Sequence, residues 1–163
     1  MKLGITKIME IQLTKEQYKM LVKAVMVGES VYGILGDSVS EEYKKESDEM
    51  EKLSDYILGL AKDFGYEELA VEYRGHIIPS DAFSEEMQLV TDDYDDETFW
   101  HELETRLGKR DLERDMTEEE RKETDKTGWL PGRVHDFYEK WGKEFEEHGV
   151  ERLGIKKKEG NQN

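Results

Sequence analysis

Cysteine is absent from all 163 residues, which removes disulfides, thiolate metal sites and thiol nucleophiles together and fits a reducing compartment. Long apolar runs are missing as well. No stretch of 18 apolar residues exists, and Met1 to Ile8, with Lys2 and Lys7, has neither the apolar centre nor the small-residue cleavage site of a secretory signal. The expectation is a cytoplasmic protein that neither crosses nor coats a membrane.

The third absence is of positive charge. From Gly75 to Thr105 there is no lysine or arginine, yet there are ten acids: Asp81, Glu85, Glu86, Asp92, Asp93, Asp95, Asp96, Glu97, Glu102 and Glu104. The net charge of −16 is concentrated accordingly: residues 1–36 carry +2, residues 37–123 carry −18 and residues 124–163 balance. Such a middle segment repels nucleic acid and anionic lipid, and it attracts basic protein surfaces, polyamines or divalent cations.

What is present is enough for a folded chain. Hydrophobic residues make up 36% and charged residues 39%, which implies a thin core and a heavily solvated exterior, with regularly spaced aromatics to fill that core. The length suits a single helical domain, expected over 1–155 with a tail at 156–163.

The alternation of Met9, Ile11 and Leu13 with Glu10 and Gln12 predicts a short strand at 8–13. Thr14 and Gln17 form a capping box, after which Tyr18, Leu21, Val22, Val25, Met26 and Tyr32 recur at helical spacing to about Leu35. Ser40 caps a second predicted helix with Tyr43, Ser47, Met50, Leu53, Ile57, Leu60, Ala61 and Phe64 inward and Gly65 at its end. Leu69, Val71 and Tyr73 alternate, and Ile77-Ile78 before Pro79 is extended, so a small β-excursion is expected there. Ser80 or Asp81 opens a third helix with Phe83, Met87, Val90 and Tyr94 on one face. Asp95 or Asp96 caps a fourth with Phe99, Trp100, Leu103 and Leu107. Residues 109–128 are polar on every side apart from Leu112 and Met116, with a capping box at Thr117 and Glu120, and read as an exposed helix or a mobile segment. A last helix carries Val134, Phe137, Tyr138, Trp141 and Phe145 and stops at Gly149; Val150, Leu153 and Ile155 suggest a terminal strand. The fold class expected is therefore mainly α, a bundle of about five helices, with a small two-stranded sheet that would pair the terminal segments.

Catalytic patterns are lacking. There is no G-x-S-x-G elbow, and Gly33-Ile34-Leu35-Gly36-Asp37-Ser38 lacks the lysine and the preceding strand of a phosphate loop. His101-Glu102-Leu103-Glu104-Thr105 begins like a zinc-protease helix, but Thr105 stands where the second histidine must be. No catalytic residue and no cofactor is assigned. Asp92-Asp93-Tyr94-Asp95-Asp96-Glu97, with His101 and Glu104, matches part of a calcium loop when Asp93 is counted first, but Thr98 replaces the required glycine. Metal candidates are thus Asp93, Asp95, Glu97, His101 and Glu104, set against an ordinary role of these acids at a helix N-terminus. Trp129, within Gly128-Trp129-Leu130-Pro131-Gly132, either folds back onto the helices or stands out as an interface anchor.

Met9-Glu10-Ile11-Gln12-Leu13-Thr14, Asp95-Asp96-Glu97-Thr98-Phe99-Trp100-His101-Glu102-Leu103 with Arg110-Asp111-Leu112, and Glu144-Phe145-Glu146-Glu147-His148-Gly149-Val150-Glu151 together resemble a group of small, acidic, uncharacterised bacterial proteins. The resemblance implies a stand-alone bacterial domain beginning at Met9, with residues 1–8 an upstream extension, and carries no activity.

The function expected is that of a non-enzymatic interaction module, an adaptor or inhibitor, engaging a basic protein surface, such as one that binds nucleic acid. Asp92, Asp93, Asp95, Asp96, Glu97 and Trp129 are its partner-binding candidates. The competing readings are a metal-binding protein or metal-dependent hydrolase built on Asp92 to Glu104, and an acidic surface that serves solubility alone.

Overall fold

The structure, a computed structural model, describes residues 10–154. Among these residues there are five α-helices and one two-stranded antiparallel sheet, which bears out the mainly helical class. By internal contacts the chain forms two compact units, one up to Asp92 and the other from Asp93. The sequence reading placed one helical domain over 1–155.

The first unit begins with α1, Lys15–Ser38. Its start is set within one turn: the Gln17 N–H donates to Thr14 Oγ1 at 3.2 Å, and the Thr14 N–H donates back to Gln17 Oε1 at 2.9 Å. This reciprocal box satisfies two donors that the first helical turn would otherwise leave open. Ser40 does the same more simply for α2, Glu41–Gly59, accepting from the Tyr43 N–H at 3.3 Å. The two helices run antiparallel, with Gly28 beside Met50 and Gly36 beside Lys44.

Their shared core is Tyr18, Val22, Leu58, Ala61 and Leu69, joined by Phe83 and Met87. Tyr18 organises it. Its ring stacks on Phe64 with centroids 4.1 Å apart, and its hydroxyl donates to the Ile57 carbonyl at 2.7 Å, so that burial leaves no polar group unpaired. Lys15 Nζ donates to the Gly65 carbonyl at 2.6 Å and lies 4.3 Å from the Tyr66 ring, fastening the α2 exit to the start of α1. A 3-10 turn, Glu67–Leu69, leads into β1, Ala70–Tyr73, which pairs with β2, His76–Pro79. The connecting residues Arg74 and Gly75 both have positive φ, 53° and 84°, the two-residue turn whose twist matches that of a hairpin.

Next comes α3, Asp81–Asp115, which contributes residues to both units. Ser80 caps it, accepting from the Phe83 N–H at 3.3 Å while its own hydroxyl donates to the Glu68 carbonyl at 2.7 Å. In the second unit α3 is followed by α4, Glu118–Thr127, and α5, Val134–His148. Leu112, Val134 and Phe145 are its buried apolar side chains. Arg133 ties the three helices: it donates to both carboxylate oxygens of Glu120 at 2.8 and 2.9 Å and to Asp115 Oδ2 at 2.5 Å.

Four expectations are corrected. The sheet does not pair the terminal segments: Glu10 to Leu13 and Val150 to Gly154 are not strand, and the sheet lies where the β-excursion was expected. Residues 1–8, Met9, Ile155 and the tail lie outside the described residues. The predicted third and fourth helices are one, because no glycine or proline interrupts residues 82–107, so the acids at 92–97 sit inside a helix that has no reason to stop. Val90 and Tyr94 face solvent. Finally, α2 ends at Gly59 and turns Ser54 and Leu58 inward while Leu53 is 43% exposed. Residues 109–128 contain the end of α3 and all of α4.

Candidate functional site

Asp92, Asp93, Asp95, Asp96 and Glu97 are all exposed on α3. Asp92 is the last residue of the first unit; the other four belong to the second. Two of the five have neighbours on the same helix one turn away: Gln88 Nε2 donates to Asp92 Oδ1 at 2.6 Å, and the Trp100 indole N–H donates to Asp96 Oδ1 at 3.1 Å. Among the described residues, none of the five lies within ion-pair distance of a lysine, arginine or histidine. The basic residues further along α3 are engaged with other acids, Arg106 with Glu102 at 2.8 Å and Arg110 with Asp111 at 2.8 Å.

At roughly 100° per residue, Asp93, Asp96, Glu97 and Glu104 all fall on the side of α3 that carries Trp100. Asp95 points away from them. That placement bears on the metal candidates Asp93, Asp95, Glu97, His101 and Glu104. A calcium loop needs a chain that curls around the ion, whereas Asp93 to Glu104 is continuous helix. Among the described residues no three histidine, aspartate or glutamate side chains converge closely enough to hold a metal ion.

Trp129 is 80% exposed. The α4–α5 loop holds it there: Gly128 takes φ 76° and closes α4 through its N–H on the Thr124 carbonyl at 2.7 Å, and the Trp129 N–H then donates to Thr127 Oγ1 at 3.2 Å. Among the described residues no hydrogen bond, ion pair or ring contact joins Trp129 to the acidic turns of α3.

Two further arrangements were not foreseen from sequence. Asp111 Oδ2 accepts from the Trp141 indole N–H at 3.0 Å, while Oδ1 accepts from Arg110 Nε and Nη2 at 2.9 and 2.8 Å. Burial pushes the Asp111 carboxyl up, but the hydrogen bonds from Arg110 and Trp141 and the charges of Arg110 and Lys140 outweigh it and leave its pKa below the ordinary aspartate value. The other is a shallow recess of about 230 Å³ lined by Trp100, Glu104, Gly142, Phe145 and Glu146. Trp100, Phe145 and Trp141 form a continuous aromatic run there, with centroids 5.6 and 5.4 Å apart. Trp141 and Phe145 at i, i+4 were a legible signal; the approach of Glu104 to Gly142 was not.

Comparison with protein-family models, with curated proteins and with solved structures finds no match to this chain. The functional reading accordingly rests on the arrangement of the side chains themselves.

Proposed function

We propose that this chain is a non-enzymatic interaction module, an adaptor or inhibitor, that works in the cytoplasm of a bacterial cell and presents the acidic part of α3 to a basic protein surface. The observation that carries this reading is the row of exposed carboxylates, Asp93, Asp96 and Glu97, that share one side of a helix with no cation at ion-pair distance among the described residues of the second unit. No lysine or arginine stands between Gly75 and Thr105 to neutralise these acids from their own stretch of chain.

Carboxylates at i, i+3 and i+4 stand about 5–6 Å apart and present a repeating line of negative charge, as a nucleic-acid backbone does. A protein face built to bind nucleic acid would accept such a helix, and direct binding of nucleic acid to the same helix is opposed by charge.

Capture of a basic partner at low salt tests the reading. Replacing Asp92, Asp93, Asp95 and Asp96 with Asn should abolish capture, and raised ionic strength should weaken it, because exposed charges are screened over about 10 Å at 0.1 M. Unchanged capture by the fourfold variant would move the interface elsewhere and leave these acids to solvation alone.

A further inference from the structure

The recess on the second unit has a composition that the row of acids alone does not explain. Its lining joins two aromatic residues, Trp100 from α3 and Phe145 from α5, to two acids, Glu104 from α3 and Glu146 from α5. Gly142 lies against it: a Cβ there would stand 3.2 Å from Glu104 Oε2, so a larger residue would press on this carboxylate. Glu104 is half-buried, and among the described residues neither it nor Glu146 has a basic group at ion-pair distance. Lys143 of α5 is engaged with Glu139 at 2.6 Å, and Arg152, just beyond the helix, with Glu144 at 3.1 Å.

An aromatic face beside an unneutralised carboxylate is chemistry for an organic cation, which gains from the ring quadrupole and from charge-assisted hydrogen bonds at once. Size narrows the choice. About 230 Å³ lies below the roughly 300–1,000 Å³ of metabolite sites and suits the end of one side chain. A guanidinium suits this lining better than an ammonium, because its plane stacks on an indole while its fork donates to a carboxylate.

We propose that this recess receives an arginine side chain of the basic partner, its guanidinium stacked on the accessible face of Trp100 and hydrogen-bonded to Glu104. The proposal rests on the reading of the acidic surface given above and deepens it: Asp93, Asp96 and Glu97, on the same side of α3 as Trp100, attract the partner, and the recess selects arginine within it.

The test compares an oligoarginine peptide with an oligolysine peptide of equal length, titrated into the full chain at low salt and followed by calorimetry and by the Trp100 indole N–H resonance. The wild type should bind the arginine peptide more tightly and shift that resonance. Glu104→Gln, nearly isosteric, should weaken arginine binding about tenfold and erase the preference over lysine, whereas Glu123→Gln, an equal loss of charge on α4, should keep the preference. Equal weakening by both variants, or an unmoved indole resonance, would overturn the arginine recess while leaving the basic-surface reading intact. Failure of both peptides to bind would overturn the surface reading and the recess with it.

Discussion

Gly108 of α3 meets the ring of Tyr138 of α5: a Cβ built on this glycine would lie 2.5 Å from Tyr138 Cδ1 and 3.1 Å from the Tyr138 backbone nitrogen. The close approach of these two helices in the second unit therefore depends on the absence of one methyl group. Helix propensity argues the other way, since alanine is favoured over glycine inside a helix by about 1 kcal/mol.

The two effects separate by position. Gly108→Ala should lower stability in a urea melt by about 1–3 kcal/mol, the range for forced overpacking, because the atoms in the way include backbone. At Gly33, inside α1, a Cβ would meet nothing within 4 Å, and Gly33→Ala should raise stability by up to about 1 kcal/mol. A stabilising Gly108→Ala would refute the close approach.

Asp111 links α3 to α5 through the Trp141 indole. Asp111→Ala removes the acceptor from a half-buried N–H and should cost about 1–3 kcal/mol. The sign with pH follows from the depressed carboxyl: the contribution is complete above the ordinary aspartate pKa and is lost as pH falls through the lower folded value. Urea midpoints of wild type and Asp111→Asn should converge as the solution is acidified; a gap that stays constant would contradict this.

Arg133 and Glu120 behave alike at the junction of α3, α4 and α5. The hydrogen bond from Arg133, reinforced by the Thr117 N–H, lowers the Glu120 carboxyl from 4.5 to about 2. Its stabilising effect is therefore present above pH 4.5 and disappears as the pH falls to about 2. Glu120→Gln should flatten the melting temperature across that window relative to wild type. Arg133→Lys should not restore the wild-type profile, since an ammonium cannot donate in a fork to Glu120 and reach Asp115 together.

Calcium, magnesium, manganese or zinc should leave the melting temperature unchanged, because Asp95 points away from Asp93 and Glu97 and no three ligands converge among the described residues. Binding to the folded state at 100 times its dissociation constant would add about 2.7 kcal/mol, so a shift of that order with any of the four would restore the metal reading.

The legible parts of the fold are the local ones. Thr14, Ser40 and Thr117 were readable as caps because the groups that satisfy each helix start lie within three residues of the cap. Asp95 and Asp96 carry the same local signal and cap nothing, since an aspartate looks alike in sequence whether the chain turns beside it or continues as helix. The inward face of α2 was misjudged at Leu53 and Leu58 because hydrophobic spacing gives a stripe but not the side from which α1 and Phe83 approach.

By itself the sequence determined the charge map, the helical class and most helix starts, all of which depend on residues a few positions apart. The tertiary structure alone decided which carboxylates stay without a cation, that Trp129 stands in solvent at 80% exposure, and that Glu104 comes to rest against Gly142. Pairing and burial are set by groups distant along the chain, and helical periodicity carries no information about which of them will meet.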